Sequence, residues 1–262
     1  MKLAHIKNVY LVGIGGIGMS GLARYFKNIG CEVAGYDKTE TILTKELIAE
    51  EIPVTYFDDS SLLPDTFLVH DPSTLIIYTP AIPQDSEILN YFIEQDFMLR
   101  KRAQVLGIIS ESSFTIGVAG THGKTTTATI IAHLLKHSGY DCSAFLGGIS
   151  TNYQSNILFG KNNVMVIEAD EFDRSFLTLH PDIAIVTSMD ADHLDIYGDK
   201  NHIEESFRLY ASQVKRGGKL IFKYNLPIQK EGITYGVNST SADYIAHNIR
   251  IQNGKYIFDF KN

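Results

Sequence analysis

Cysteine is scarce in this chain. Cys31 and Cys142 are the two it has, each alone in apolar surroundings, so neither a disulfide framework nor a zinc site is expected. A reducing, cytoplasmic setting is. Blocks of basic residues are missing too. Net charge is −7 at pH 7 and the pI about 5.7, so nucleic acid is not an expected partner. No stretch approaches the ~20 apolar residues that a membrane span needs, and membrane insertion is not expected. Lys2 and Lys7 precede an apolar run from Val9, as in a signal peptide. Gly13, Gly15, Gly16 and Gly18 break that run, which marks it as part of the fold. Repeats and low-complexity tracts are also lacking. What remains is a chain of 262 residues, 44% hydrophobic and 20% charged, enough for one large or two medium domains with real cores. Nothing in it sets an oligomeric state.

The most informative stretch runs from Thr115 to Thr127. Phe114, Ile116 and Val118 predict a strand. Gly120-Thr121-His122-Gly123-Lys124-Thr125 follows, and then Ala128, Ile130, Ile131, Leu134 and Leu135 recur at helical spacing. Strand, glycine-rich turn and helix in that order form a phosphate cradle. Backbone N–H groups and the positive end of the helix dipole face the anion. Lys124 supplies a point charge for terminal phosphates, and the Thr125 hydroxyl can ligate Mg²⁺. The strict pattern wants glycine where Val118 stands, so this is a variant loop.

A second cradle lies upstream. Val9–Val12 predicts a strand, Gly13-Ile14-Gly15-Gly16-Ile17-Gly18 a tight turn, and Leu22, Ala23, Phe26 and Ile29 a helix that Gly30 stops. Val33–Tyr36 predicts the next strand, with Asp37 at its end. A G-x-G-x-x-G turn with an acid about twenty residues on, inside one βαβ unit, admits a pyrophosphate, and Asp37 would accept from a ribose hydroxyl. It indicates a nucleotide diphosphate more firmly than it indicates NAD. A helix is expected over Glu46–Glu51, a strand over Val54–Phe57 and a strong strand over Thr74–Tyr78, which opens into Thr79-Pro80-Ala81. Ligands of open parallel sheets sit at the carboxyl ends of strands, so Thr79 to Ala81 can touch the same ligand. A helix over Ile88–Gln95 and a loop then lead to Gly107. The expected domains are residues 1–107 and 108–262.

Further on, Val164–Ile167 is an apolar strand that ends in Glu168, where a P-loop enzyme keeps its Mg²⁺-linked acid. Asp170, Glu171 and Asp173 follow and leave the choice among them open, with Glu168 favoured as nearest the strand end. Ile183–Thr187 predicts another buried strand, which runs into Asp190, Asp192, His193 and Asp195. If both strands run parallel to the one before the phosphate loop, Glu168 and His193 come to neighbouring strand ends and can serve a cation. His133 and His137 stand i,i+4 as metalloprotease ligands do, but no glutamate lies between them, and they are expected on a helix surface. Near the end, Asn248–Gln252 and Lys255–Phe260 flank Asn253-Gly254, the signal of a β-hairpin. A lone hairpin wants further partners, so the chain is expected to be cut short.

Four motifs together resemble the Mur ligases. They are Gly13-Ile-Gly-Gly-Ile-Gly-Met-Ser-Gly21, Gly120-Thr-His-Gly-Lys-Thr-Thr-Thr127, Glu168-Ala-Asp-Glu171 with Ser175-Phe176-Leu177, and Asp192-His193 with Tyr197. They span essentially the whole chain in a specific order. The resemblance implies an α/β protein: a Rossmann-like N-terminal parallel-sheet domain, then a P-loop-type ATPase α/β domain, with the family's third, C-terminal domain absent. It implies UDP-N-acetylmuramate, not NAD, around Gly13, Gly15, Gly16, Gly18, Met19, Ser20, Asp37, Thr79, Pro80 and Ala81. It implies ATP around Gly120, Thr121, His122, Gly123, Lys124, Thr125 and Thr126. Lys124 and His122 would be the catalytic pair, with His122 touching an acyl phosphate, and Thr125, Glu168 and His193 would hold Mg²⁺.

The implied activity belongs to peptidoglycan precursor synthesis. It is ATP-dependent amide-bond formation between L-alanine and the lactyl carboxylate of UDP-N-acetylmuramate. Several members carry a carbamylated lysine after the His193 region. Asn201 to Gln213 contains no lysine, which agrees with the alanine-adding branch. Lacking the closing domain, this chain is expected to bind without turning over. Three rivals stand beside this expectation. One is a related ligase that attaches a whole peptide to the same sugar nucleotide. Another is a dinucleotide-binding module fused to an NTPase. The third is a non-catalytic binding protein.

Overall fold

Strand β1 (Asn8–Val12) is buried along almost its whole length, as expected of a parallel strand covered on both faces. It anchors the first of two compact units in a computed structural model that describes residues 3–190 and 200–262. The first unit takes in the chain up to Ser112 together with Phe145–Phe159, and the second Ser113–Ala144 with Gly160–Asn262. None of the helices among the described residues is long and apolar enough to cross a membrane.

In the first unit, β1 leads into helix α1 (Ile17–Asn28), β2 (Glu32–Tyr36), α2 (Ile42–Ala49) and the short β3 (Val54–Thr55). Strand β4 (Thr74–Tyr78), α3 (Glu87–Glu94), β5 (Met98–Lys101) and α4 (Arg102–Glu111) follow. The sheet order is β3-β2-β1-β4-β5, and all its pairs are parallel. Strand β1 therefore has β2 on one side and β4 on the other, so the winding reverses at β1/β4. That switch point is where an open α/β sheet leaves a crevice for a ligand. One face of the sheet is held by aromatic rings, with Tyr10 lying 5.2 Å from both Phe67 and Phe92. Thr41 caps α2 through a reciprocal pair of bonds with Thr44, and the Ser86 side chain caps α3.

The spacing predicts a loop from Gln95 to Gly107. The structure has β5 and α4 there instead. Strand β5 pairs with β4 from Leu75↔Met98 to Tyr78↔Lys101. It is an edge strand that ends in Arg100 and Lys101, so it carries no apolar run to betray it. Helix α4 continues without a break through position 107.

A second surprise is the excursion at Phe145–Phe159, which takes in most of β7 (Ser143–Ser150) and all of β8 (Ser155–Leu158). Asn156, 1% exposed, fastens it to α1. Its amide donates to the Ile17 carbonyl and, at 3.0 Å, to the Ser20 hydroxyl. Its carbonyl accepts from Arg24 at 2.7 Å. Arg24 in turn donates to Glu50 and Glu46 on and just beyond α2. The Glu50 and Glu46 hydrogen bonds outweigh the burial that opposes its charge, and the guanidinium stays firmly protonated.

The second unit is built on β6 (Phe114–Ala119), α5 (Lys124–His137), β9 (Val164–Glu168), β10 (Ile183–Val186), α6 (Lys200–Ser212), β11 (Lys219–Lys223), β12 (Ile233–Val237), β13 (Tyr244–Gln252) and β14 (Lys255–Lys261). Their order is β14-β13-β12-β11-β10-β6-β9. The pairs from β9 through β13 are parallel, and β13–β14 is an antiparallel hairpin. Its turn residues, Asn253 at φ 51° and Gly254 at φ 72°, have the paired positive values of a type I′ turn. The hairpin is not isolated as the sequence leads one to expect. Strand β13 pairs with β12 from Tyr235↔Tyr244 to Val237↔Ala246. On α6, the ring of Tyr210 stacks on Phe176 at 5.1 Å and Phe207 meets Phe176 edge-on at 5.2 Å, closing the core over that side of the sheet.

Candidate functional site

The loop after β6 lies at the middle of its sheet. Strand β6 is flanked by β9 and β10, both parallel to it, so the carboxyl ends of all three come to one edge. Glu168 closes β9 in register with Val118, and Thr187 and Ser188 follow β10. Because β6 separates β9 from β10, their ends each adjoin the loop and not one another. The neighbouring strand ends expected for Glu168 and His193 are thus two strands apart. His193 itself, with Asp192, Asp195 and Tyr197, lies outside the described residues.

The loop is laced to the end of β10. Gly120 has φ +141°, and a Cβ there would fall 2.0 Å from Thr187 Oγ1 and 2.9 Å from the Ser188 nitrogen. Only glycine permits this approach. Thr187 donates to the carbonyls of Ala119 and His122 at 3.1 and 2.6 Å. The Ser188 hydroxyl accepts the His122 N–H at 2.8 Å and shares a 2.9 Å bond with the buried Thr121 hydroxyl. The Asp190 N–H completes the lacing on Thr121 Oγ1 at 3.1 Å. Gly123 sits at the N-cap of α5 with a left-handed backbone and no side-chain cap, so the first-turn N–H groups of α5 are offered outward.

Two pairs of side chains fill this mouth. The Thr125 hydroxyl donates to Glu168 Oε1 at 2.9 Å. Lys124 Nζ donates to the Gly120 carbonyl at 2.7 Å and to Glu171 Oε1 at 2.8 Å, and it lies 2.8 Å from Glu171 Oε2 as well. Glu171 is 1% exposed. Asp170 is turned to its own loop, where it accepts the Phe172 N–H at 3.0 Å. The imidazole of His122 is 68% exposed, 3.9 Å from the Asp190 carboxylate, and Thr126 is exposed on the first turn of α5. No group of three His, Cys, Asp or Glu side chains suited to a metal occurs among the described residues. The Thr125–Glu168 pair is a hard oxygen set of the kind Mg²⁺ takes. Thr187, Ser188 and the Lys124–Glu171 pair escape sequence reasoning. The one local signal for the first two is a pair of hydroxyl residues directly after an apolar strand. Glu171 has none that separates it from Asp170 and Asp173.

The upstream glycine loop sits at the β1/β4 switch point of its own unit. Gly13, at φ +90°, would place a Cβ 2.9 Å from the Thr79 methyl, so the loops after β1 and β4 meet there. The N–H groups of Gly13 and Ile14 donate to the Tyr36 carbonyl at 2.7 and 2.9 Å. Asp37 closes on the loop, with its Oδ2 accepting the Gly15 N–H at 2.8 Å and its Oδ1 the Thr39 N–H at 3.0 Å. A ligand hydroxyl would share this acceptor. Gly16 caps α1 without a side-chain bond. Gly15 and Gly18 are partly exposed and Gly16 exposed, as are Pro80 and Ala81. Met19 and Ser20 are buried, and the Ser20 hydroxyl serves the Ile17 carbonyl and Asn156. One residue not foreseen joins the loop. A Cβ on Gly18 would fall 2.4 Å from Arg102 Nη1, so α4 lays a guanidinium against the first turn of α1.

Comparison with known proteins bears on both loops. The model of the Mur ligase family catalytic domain matches residues 8–113, and that of the Mur ligase middle domain residues 118–262. Over 261 residues the chain is 54% identical to UDP-N-acetylmuramate–L-alanine ligase of Flavobacterium psychrophilum, covering 100% of this chain and 57% of that relative. The chain thus spans little more than half the length of the curated relatives it matches. It is similar to the crystal structure of UDP-N-acetylmuramate-alanine ligase of Thermotoga maritima, with a TM-score of 0.79 at 27% identity, over 91% of this chain and 54% of the other. A ligase from Neisseria meningitides, named for UDP-N-acetylmuramate and L-alanyl-gamma-D-glutamyl-meso-diaminopimelate, shares the fold with a TM-score of 0.83 at 24% identity, over 96% of this chain and 86% of that one.

Proposed function

The chain belongs to the Mur ligase family, and on that premise we propose that it serves the ATP-dependent joining of L-alanine to the lactyl carboxylate of UDP-N-acetylmuramate. The observation that carries this reading is the Lys124 and Thr125–Glu168 arrangement at the carboxyl ends of β6 and β9. It lies in a chain similar over its whole length to a ligase of that name. The free thiols Cys31 and Cys142 agree with action in the cytoplasm.

In this reading the sugar nucleotide lies at the β1/β4 switch point. Its diphosphate faces the exposed Gly15–Gly16 turn and the open N-terminus of α1, with Arg102 as a charge partner. ATP lies on the Gly120–Thr126 loop, where the N–H groups of α5 and the ammonium of Lys124 meet its phosphates. The lactyl carboxylate attacks the γ-phosphorus and ADP leaves, giving an acyl phosphate. The amine of L-alanine then attacks the acyl carbon, phosphate departs, and an amide forms. The reaction brings two anions together, so the protein's task is positioning and charge neutralisation. Lys124 supplies one fixed positive charge. Thr125 and Glu168 would hold Mg²⁺, which when bound offsets charge on the phosphate oxygens. His122 and Asp190 stand at the exposed side of the same mouth, and His193 would join Thr125 and Glu168 in holding the metal.

Calorimetry on the 262-residue chain tests the reading, with UDP-N-acetylmuramate, Mg·ATP and NADH as ligands. The first two should bind and NADH should not. Tight NADH binding with no response to the sugar nucleotide would overturn it in favour of a dinucleotide module.

A further inference from the structure

Strand β14 closes the second sheet at its outer end. Among the described residues it pairs with β13 and with no other strand, so its far edge presents unbonded backbone groups. In a two-residue hairpin the residues flanking the turn exchange hydrogen bonds, here Gln252 and Lys255, and bonded and unbonded pairs then alternate. Tyr256 and Phe258 fall between the bonded positions, so their N–H and C=O groups aim at the open edge. Many natural edges are blunted by a bulge, a proline or shortness. The irregularity of this hairpin lies on the β13 side, between His247 and Arg250, and β14 runs unbroken from Lys255 to Lys261 without proline.

The side chains of β14 alternate as well. Tyr256, Phe258 and Phe260 share one face. Ile251 joins them opposite Tyr256, and so does Tyr244, whose ring stacks on Phe260 at 5.7 Å. Such a face is normally the packed one, yet Tyr256 is 73% and Phe260 64% exposed. Lys255, Ile257, Asp259 and Lys261 line the other face, and the three charged residues among them are exposed. Asp259 accepts one bond, from Asn248 at 2.8 Å, and keeps acceptor capacity for a cation.

We propose that the open edge of β14 is a self-association surface whose partner is β14 of a second copy, paired antiparallel about a two-fold axis at Ile257. Such an interface is self-complementary and closes at two copies. Charge decides among the registers. With the axis at Ile257, Lys255 lies opposite Asp259 of the second copy, twice over, and Tyr256 lies opposite Phe258. An axis at Phe258 sets Lys255 against Lys261, and one at Asp259 sets the two Asp259 carboxylates against each other. An axis at Tyr256 leaves Asp259 without an opposite strand residue. Like charges directly opposite destabilise a sheet, whereas opposite charges and aromatic pairs support it. The axis at Ile257 also makes Tyr256 and Phe258 a bonded pair, so the backbone groups that aim outward are the ones that meet. The surface is separate from both glycine loops and does not depend on how they are read.

Sedimentation equilibrium of the 262-residue chain, over a micromolar to near-millimolar series, tests the proposal and should show a reversible monomer–dimer equilibrium. Lys255→Glu turns both Lys–Asp pairs repulsive and should weaken association at least about fourfold. Asp259→Lys should do the same. The two together swap the charges and should restore association to within about twofold of wild type. Phe258→Pro removes an N–H that faces the open edge and none that β13 needs, and it should leave the chain monomeric. Lys255→Glu, an exposed substitution, carries the test if the proline variant does not fold. A monomer at every concentration overturns the proposal. So does association that grows beyond the dimer, and so does a dimer that neither charge reversal nor Phe258→Pro affects, because each places the contact elsewhere.

Discussion

Thr125 and Glu168 stand 43 residues apart and meet hydroxyl to carboxylate at 2.9 Å. They do so because β9 runs parallel beside β6 with Val118 paired to Glu168, while Thr125 occupies the second position of α5. A strand end and a helix start are brought together by sheet register, and the resulting pair of oxygens faces the same mouth as Lys124.

Removing the hydroxyl should weaken the cation site without dismantling the loop. Thr125→Val should raise the Mg²⁺ concentration needed for ATP binding roughly ten- to hundredfold, the range seen when a group supporting a metal site is lost. A magnesium titration of ATP affinity checks this. An unchanged midpoint would remove Thr125 and Glu168 from the metal site.

Lys124→Ala should cost about 1.5–3 kcal/mol in Mg·ATP binding, the value of one hydrogen bond to a charged group. That is roughly 10- to 150-fold in affinity. UDP-N-acetylmuramate binding, assigned to the other unit, should stay within twofold. Calorimetry reads both numbers on one sample, and a parallel loss of both ligands would point to a folding defect and not to a phosphate contact.

Gly120→Ala forces a side chain into φ +141° and against Thr187 and the Ser188 backbone. The backbone strain alone is worth about 1–3 kcal/mol. The clash also breaks the lacing of the loop to β10. Both thermal stability and ATP binding should fall. A variant with wild-type melting and affinity would show that the close approach is not needed.

Asn156→Ala should loosen the Phe145–Phe159 excursion. It removes donors to Ile17 and Ser20 and leaves a buried Arg24 N–H unmatched, a loss of about 2–3 kcal/mol. Urea unfolding measures it, and a change below about 0.5 kcal/mol, the scale of ordinary surface substitutions, would mean that apolar packing alone holds the segment.

Burial pushes the thiols of Cys142 and Cys31 above their ordinary range. A raised thiol pKa leaves less thiolate at any given pH, and the thiolate is the reactive form. At pH 8 the folded chain should alkylate slowly at both positions, slowest at the fully buried Cys142, and fast once unfolded. Mass spectrometry of iodoacetamide-treated protein follows the two sites separately. Rapid modification of Cys142 in the folded state would contradict the packing around it.

Both glycine loops are legible in the sequence because every part of their signal is local. An apolar strand, a turn that needs glycine and a helix of 3.6 periodicity follow one another within some twenty residues. Strands β1, β2, β4, β6, β9 and β10 are legible for the same reason, since parallel strands covered on both faces appear as plain apolar runs. Strand β5 is not, because an edge strand of Met-Leu-Arg-Lys carries no such run. Strand β7 hides Gly147 and Gly148 inside it, which mark a loop to any local reading.

What tertiary structure alone decides is pairing. Thr187 and Ser188 become part of the phosphate loop because β10 lies next to β6. Glu171 is carried inward to Lys124, a contact that spans 47 residues. The hairpin at Asn253-Gly254 acquires its neighbour only when β12 is in place. The amino-acid sequence by itself determined the local chemistry: where a phosphate can be cradled, and which residue types stand beside it. Which carboxylate meets which donor depended on sheet order and register. Those are set by the burial of many distant apolar side chains at once, and no short window of sequence contains them.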